Sequence, residues 1–293
     1  MRGIVLAGGK GTRLWPVTAS VSKQLLPIYD KPLIFYPLAT LFLAQIRDIL
    51  IITTPTDSES FQKLLGNGEK FGVKFSYVVQ ENPGGLAQAF LIGEKFLSGE
   101  PCALILGDNI FHGSGLGRDL ARNKIETGAR IFTYAVADPR AYGVLALNAE
   151  GKPVQVVEKP LIPPSNQAVT GLYFFDGKAS DLAKTLKPSA RGELEITELI
   201  NLYFEKSEVV VTELPRGTAW LDTGNANSMH DAGTYVRVLE ERTGEKIAVL
   251  EEIAFLNGWI GVSELNKLAE EYGANNYSEY LIKIPEKHKK MNY

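Results

Sequence analysis

The sequence predicts an α/β protein, and three features carry that reading. Apolar runs of strand length alternate with helical patterns through the N-terminal part of the chain. Between Ile131 and Asp176 the runs shorten and are separated by turns, and from Asp231 onward the pattern is helical. Alternation of strand and helix argues a parallel sheet with crossover helices, and a succession of short strands argues antiparallel pairing beside it. The expected architecture is a Rossmann-like, mixed but largely parallel central sheet flanked by helices, with a small antiparallel insertion and a helical C-terminal part.

Each element has a local reason. The β-branched run Gly3 to Ala7 stops at Gly8, Gly9, Gly11 and Thr12, the pattern of a buried strand feeding a tight loop. FYPLATLFLAQ, DILIITT, KFSYVVQ, LAQAFLIGEKFL and CALILGD continue the alternation of helix and strand. IFTYAVA, GVLALN, GKPVQVVEKP and GLYFFD supply the short strands, and EERTGEK, EEIAFLNGWI and VSELNKLAEEYG the terminal helices. PLIPPSNQ is an exposed loop, because Pro160, Pro163 and Pro164 remove donors and disfavour helix. The polar end KIPEKHKK is expected to fray. No internal repeat or low-complexity linker divides the chain.

Composition narrows the class. At 293 residues, 45% hydrophobic and 22% charged, the chain can bury a sizeable core. A net charge of −3 and a pI near 5.8, with Lys and Arg scattered along the sequence, argue against a nucleic-acid footprint. The single Cys102 lies in an apolar run, and His112, His230 and His288 lack zinc-ligand spacing, which excludes a disulfide framework and a structural zinc. No apolar stretch reaches membrane-spanning length and the N-terminal run is too short for a signal-peptide core, so the expected location is the cytoplasm, with no membrane partner.

The opening loop is built for phosphate. Glycines let backbone amides approach an anion without Cβ interference, and successive amides in one concavity make an anion nest. A P-loop is excluded, because the Gly9-Lys10 pair is followed by Gly11 and Ile4 occupies the upstream glycine position. A dinucleotide fingerprint fails at its third glycine, where this chain has Leu14, which makes Asp30 a decoy for a ribose contact. What remains is a loop followed by Arg13 and, further on, Lys23, two cations available to a polyphosphate; an ordinary βα turn with solvated basic residues fits the same letters.

Two carboxylates fall at strand ends. Asp108 follows the apolar run CALIL and precedes Asn109, and Asp222 follows AWL and precedes Thr223 and Gly224. Open α/β sheets bind ligands at the carboxyl ends of their strands, and magnesium is held by one or two carboxylates with substrate phosphates. Locally, Asp108 also fits a helix N-cap and Asp222 an Asx turn. In ENPGGLAQAF, Pro83, Gly84 and Gly85 precede a helical pattern whose starting amides could receive a ligand's acceptor, or form a plain turn. In VVEKP, Glu158 and Lys159 end a strand, where they could take sugar hydroxyls and a sugar phosphate, or be a solvated turn.

The order GGKGTR, KQLLP, GGLAQAF, LGDNI, AYGV, VVEKP, RGELEIT, AWLDTG, EEIAF runs nearly end to end and resembles the sugar-nucleotide pyrophosphorylases, and KQLLPIYDKP resembles their glucose-1-phosphate thymidylyltransferase branch. The resemblance implies a catalytic domain over residues 1–230, with a nucleotide-binding part at 1–110 and a sugar-phosphate part at 111–230, and a helical extension over 231–293. It implies Arg13, Lys23, Asp108 and Asp222 as catalytic residues, with Asp108 and Asp222 holding Mg2+. Nucleotide contacts are implied for Leu6, Gly8, Gly9, Gly11, Thr12, Arg13, Gln24, Gln80, Gly85 and Asp108. Sugar-phosphate contacts are implied for Asn109, Tyr142, Gly143, Glu158, Lys159, Val169, Gly171 and Arg191. RGELEIT also reads as a helix start with acidic residues near the positive end of a dipole. Trp220 either lines the sugar pocket or packs the core.

What the resemblance implies for activity is synthesis of dTDP-glucose and pyrophosphate from dTTP and glucose 1-phosphate, feeding dTDP-deoxysugar routes such as that to dTDP-rhamnose, in a homotetramer controlled by a dTDP-sugar effector. The loop FHGSGLG departs from the family pattern, since His112 replaces an aromatic residue beside the expected regulatory site, and Gly84 replaces a frequent aspartate near the base. Competing readings are a UTP-using uridylyltransferase, a metal-dependent glycosyltransferase, and a non-catalytic subunit that binds sugar nucleotides. The last would have lost Arg13, Lys23 or an aspartate, and all are present.

Overall fold

The computed structural model describes residues 1–9, 11–123 and 125–291. The N-terminal half contains β1 (Arg2–Ala7), a small hairpin of β2 (Pro27–Ile28) and β3 (Lys31–Pro32), α1 (Phe35–Leu43), β4 (Asp48–Thr53), α2 (Ser58–Leu65), β5 (Lys74–Val79), α3 (Gln88–Ile92), α4 (Glu94–Leu97) and β6 (Cys102–Leu106). Strand β1 pairs in parallel with both β4 and β6, and β4 with β5. Side chains alternate across a strand, so β1 feeds two cores. Val5 and Ala7 pack with Ile49, Ile51 and Ile105 on one face, and Ile4 and Leu6 with Leu50, Ile52 and Leu104 on the other. Burial on both faces is what makes these strands continuous apolar runs.

The second half contains β7 (Asn109–His112), α5 (Leu116–Arg122), β8 (Ala129–Ala135), β9 (Gly143–Leu147), β10 (Pro153–Glu158), β11 (Gln167–Phe175), α6 (Ala179–Ala183), α7 (Ile196–Glu205), β12 (Val209–Glu213), β13 (Ala219–Asp222), α8 (Ala226–Thr243), α9 (Leu250–Leu256), α10 (Val262–Glu271) and α11 (Asn276–Met291). Among the described residues the main sheet has nine strands, ordered β10-β9-β11-β6-β1-β4-β5, with β8 pairing β11 and β12. Strand β11 is antiparallel to β6, β8 and β9, and β9 to β10. The mixed, largely parallel sheet with antiparallel additions is the architecture the sequence predicts.

Two local expectations change. LAQAFLIGEKFL breaks at Gly93 (φ −84, ψ 1), which ends α3 and starts α4, and the position is tight: a Cβ there would stand 2.9 Å from the Ala89 carbonyl and 3.2 Å from Ile4 of β1. The KIPEKHKK stretch is helical: it continues α11, whose Leu281 and Ile284 are buried in the core shared with α9 and α10. Apolar contact with other helices supplies stability that a short isolated helix lacks. PLIPPSNQ is exposed as expected, Leu161 being 94% accessible. The division at residues 230 and 231 falls inside α8, and Ala232, Val236 and Ile247 share a core with Ile28, Leu33, Tyr36 and Ile110. No helix among the described residues is long and apolar enough to cross a membrane.

Candidate active site

The strands deliver the predicted residues to one edge of the sheet. A cavity of about 270 Å³ is lined by Leu6 near the end of β1 and Gly8 just after it, Arg13, Gln24, Asp108 and Asn109 after β6, and Asp222 at the end of β13. Its far wall is made by Tyr142, Gly143, Glu158, Lys159, Val169, Gly171, Arg191 and Trp220. A second cavity of about 530 Å³ holds Gly9, Lys23 and Gln80. Gly11, Thr12 and Gly85 line neither of these two, and Lys10 of the loop lies outside the described residues.

The glycine loop is shaped by its backbone. Gly9 (φ +103) and Gly11 (φ +58) occupy left-handed conformations, and Gly11 starts a tight 3-10 turn over Thr12–Leu14 that presents Arg13. A Cβ on Gly224 would stand 3.2 Å from both a guanidinium nitrogen of Arg13 and a carboxylate oxygen of Asp222, so these two side chains converge on that glycine.

Lys23 and Asp108 form an ion pair although 85 positions separate them. Both are largely withdrawn from solvent, with side-chain exposures of 10% and 20%. Asp108 also accepts Asn109 Nδ2 at 2.9 Å. Strands β7 and β13 pair antiparallel with Asp222 opposite Asn109, and Thr223 donates from its amide and hydroxyl to the Asp108 carbonyl at 3.2 and 2.9 Å. That ladder brings the two aspartates together. Burial, reinforced by the neighbouring Asp108 charge, pushes the Asp222 carboxyl up to about 6, against the opposing pull of Lys23, Arg13 and the Gly224 amide. Among the described residues no cluster of three or more His, Cys, Asp or Glu side chains could hold a metal by itself. A pair of close carboxylates whose mutual repulsion a cation would relieve, open to phosphate oxygens, fits a hard divalent ion that completes its shell with substrate.

Near the glycine loop, Gln24 is 4% exposed and its Oε1 accepts the Ser22 hydroxyl at 2.7 Å. Gly8 lies close to Gln80, whose Oε1 would stand 2.5 Å from a Cβ at that position, so a side chain there would displace the glutamine amide. Gln80 Nε2 donates to Gln88 Oε1 at 2.6 Å, and the Gly84 amide donates to the same oxygen at 2.9 Å. Of the amides before this helix, that of Gly84 is taken by Gln88 and that of Ala87 by the Leu194 carbonyl at 3.1 Å, which narrows the set that could receive a ligand. Gly85 (φ +99) is needed because its Cβ would lie 2.4 Å from that carbonyl. Sequence reasoning missed Gln88; its only signal is a glutamine four residues after Gly84.

On the far wall, Arg191 is held by carboxylates. It donates to both oxygens of Glu195 at 2.8 and 2.7 Å and to Glu158 at 3.0 Å, with Glu193 at 3.4 Å. Helix α7 starts after this segment, with Glu195 at its N-cap, so RGELE precedes the helix and does not form its first turn. Lys159 sits at φ +42 beside Glu158, 3.4 Å away. Gly171 approaches so closely that a Cβ would stand 2.6 Å from Asn109 Oδ1, and Gly143 packs on Thr197 in the same way. The Trp220 alternative resolves as both: the ring is 8% exposed, belongs to the core, and lines the cavity with Tyr142 at 5.0 Å between centroids. His112 accepts or donates at Nδ1 to the Tyr235 hydroxyl at 2.9 Å.

A glycine-nested polyphosphate loop, a carboxylate pair and a second cationic pocket on one sheet edge define a nucleotidyltransferase. Residues 2–237 match the model of the nucleotidyl transferase family, and the chain belongs to that family. A glucose-1-phosphate thymidylyltransferase from Xanthomonas campestris pv. campestris is 53% identical over 284 residues, covering 97% of this chain and 96% of the relative. At that identity and coverage, the branch of the family is that of the glucose-1-phosphate thymidylyltransferases. A solved structure from Bacillus anthracis, described as a candidate glucose-1-phosphate thymidylyltransferase in complex with sucrose, is 39% identical with a TM-score of 0.74, covering 81% of this chain and 95% of its own. A UDP-glucose pyrophosphorylase complexed with UDP-glucose is 25% identical with a TM-score of 0.71, covering 81% and 98%.

Proposed function

We propose that this chain makes dTDP-glucose and pyrophosphate from dTTP and glucose 1-phosphate with Mg2+. The observation that carries the reading is the Lys23–Asp108–Asp222 group standing between the glycine loop and the Arg191 pocket, where two phosphorylated substrates would meet. Asp108 and Asp222 would hold the ion, which when bound supplies charge neutralisation at the reacting phosphate. A phosphate monoester has a second pKa of about 6, so the sugar phosphate is largely dianionic at neutral pH and its oxygen needs no side-chain base. That oxygen attacks the α-phosphorus in line; a new P–O bond forms as the bond to the β-phosphate oxygen breaks, and pyrophosphate leaves with the electron pair. Arg13 and Lys23 stabilise the departing charge, and Lys159 with Arg191 holds the attacking phosphate. Arg191 reaches it by exchanging some of its carboxylate bonds for phosphate oxygens.

On this reading Leu6, Gly8, Gln24 and Gln80 border the nucleoside, and Tyr142, Glu158 and Trp220 the hexose. Residues 1–230 form the catalytic unit and 231–293 its helical extension, joined through the core around Tyr36 and Val236. Supply of dTDP-deoxysugars such as dTDP-rhamnose, a homotetrameric assembly, control by a dTDP-sugar near the FHGSGLG loop and a cytoplasmic location belong to the same reading and rest on the family resemblance. The test is Mg2+-dependent pyrophosphate release over a grid of nucleoside triphosphates and sugar 1-phosphates. A maximum at dTTP with glucose 1-phosphate is expected. A maximum at UTP would replace the base assignment, and tight binding of sugar nucleotides without turnover would replace the enzyme by a binding subunit.

A further inference from the structure

The start of α2 contains an aspartate that does not do what its position calls for. Asp57 is the N-cap residue of this helix, a place where a carboxylate ordinarily accepts the first free amides, yet its side chain makes no capping bond. Instead Oδ1 accepts the backbone amide of Ser22 at 3.1 Å, across 35 positions of chain, and Oδ2 accepts the hydroxyl of Thr54. Thr56 lies further off, 3.4 Å from Oδ2. The helix therefore forgoes a local cap of about 1 kcal/mol, and the carboxylate is spent on a distant turn.

That turn is Ser22-Lys23-Gln24. Ser22 is the N-cap of the 3-10 turn over Lys23–Leu25, and all three side chains face inward, at 6%, 9% and 4% exposure. Lys23 reaches Asp108, and Gln24 is gripped by the Ser22 hydroxyl beside Gly8. One three-residue turn thus carries the cation for the reacting phosphates and an amide bordering the nucleoside. Its leading amide is anchored by Asp57, at the rim of the larger cavity. The half-buried carboxylate has its oxygens engaged by the Ser22 amide and the Thr54 hydroxyl, and a negative charge beside a polyphosphate is unfavourable for direct contact, so its placement fits holding the turn.

We propose that Asp57 is a positioning residue for nucleotide use: through the Ser22 amide it fixes the register of Lys23 and Gln24. The proposal rests on the reading of the site given above. It distinguishes the two substrates, because the sugar-phosphate wall, with Lys159 and Arg191, receives no support from this contact.

The test compares wild type, Asp57→Ala, Asp57→Asn, Ser22→Pro and Ser22→Ala by initial-rate pyrophosphate release, with thermal melts and with dTTP binding followed by the fluorescence of Trp15, an exposed ring in the same cavity. Asp57→Ala should raise KM for dTTP by about tenfold or more while KM for glucose 1-phosphate stays within about twofold. Asp57→Asn keeps an oxygen for the Ser22 amide and should restore dTTP affinity to within about threefold of wild type. Ser22→Pro removes the amide N–H itself at a φ of −59 that proline accepts, and Ser22→Ala, which loses only the hydroxyl bond to Gln24, is its control. A larger rise in KM for dTTP in Ser22→Pro than in Ser22→Ala is expected and keeps the test alive if Asp57→Ala does not fold; equal values would overturn the role of the amide. Wild-type dTTP kinetics in Asp57→Ala, or equal loss for both substrates together with a lowered Tm, would overturn the positioning role. A wild-type chain that releases no pyrophosphate from any pair would remove the reading of the site instead, and the proposal with it.

Discussion

Asn109 Oδ1 accepts the Trp220 indole N–H at 2.6 Å, and the same oxygen takes the Gly171 amide at 3.2 Å while Nδ2 donates to Asp108. A single side chain, 2% exposed, therefore couples the carboxylate pair to the aromatic wall of the cavity. In Asn109→Ala two buried donors lose their acceptor, each at a cost on the order of 1–3 kcal/mol. Urea unfolding should show a loss of about 2–4 kcal/mol. A variant within about half a kcal/mol of wild type would mean that the network carries little of the site's rigidity.

The aspartate pair is tested by isosteric neutralisation. Asp108→Asn and Asp222→Asn should each depress turnover by roughly tenfold or more, on the order of 1.4 kcal/mol in barrier. Because Asp222 is held protonation-prone by burial and by Asp108, its replacement removes a repulsion, so the metal-free Asp222→Asn protein should melt no lower than wild type. Chelation should silence wild type, and added Mg2+ should restore it. Turnover that survives both exhaustive chelation and both substitutions would dispose of the metal assignment.

Two glycines with nearly the same φ separate strain from collision. At Gly85, φ is +99 and a Cβ would lie 2.4 Å from the Leu194 carbonyl; at Gly9, φ is +103 and nothing stands within 4 Å. Gly9→Ala should cost only the backbone term of roughly 1–2 kcal/mol. Gly85→Ala must also push back the Leu194 backbone, and with it the neighbouring Glu195 that grips Arg191. Thermal melts should rank Gly85→Ala clearly below Gly9→Ala, and the former alone should raise KM for glucose 1-phosphate. Equal melts would show that the Leu194 contact yields freely.

The C-terminal helix should loosen with rising pH. Burial pushes the Glu252 carboxyl up to about 7, with Glu245 and Glu251 adding repulsion, while the Tyr280 hydroxyl and Lys287 oppose the shift. The folded pKa lies above the usual carboxylate value, so the native chain binds the extra proton. Its stability contribution is full below the unfolded pKa and is lost as pH rises through about 7. Glu252→Gln should therefore raise Tm at pH 8 and leave it nearly unchanged at pH 4, numbers chosen to lie about one unit or less outside that window. An identical shift at both pH values would assign the effect to packing.

Much of the site was legible in the residues because it depends on local rules. The glycine loop, the strand-end aspartates and the short antiparallel strands follow from periodicity, turn chemistry and the edge at which open sheets bind ligands. Gln88 escaped because its bond to Gln80 spans a loop between strand and helix, and Glu195 because its i,i+4 spacing to Arg191 falls before α7, outside the helix that would make such spacing meaningful. The polar letters of KIPEKHKK likewise mask the buried Ile284, and Leu281 just before them, whose burial depends on α9 and α10.

By itself the sequence determined the alternation of strands and helices, the family motifs and the identity of the charged groups, since these are properties of neighbours along the chain. Tertiary structure alone decided that Lys23 meets Asp108, that Asp222 stands opposite Asn109, and that Asp57 turns away from its own helix to hold Ser22. Those pairings depend on sheet order and register, in which a shift of one residue sends every side chain to the other face.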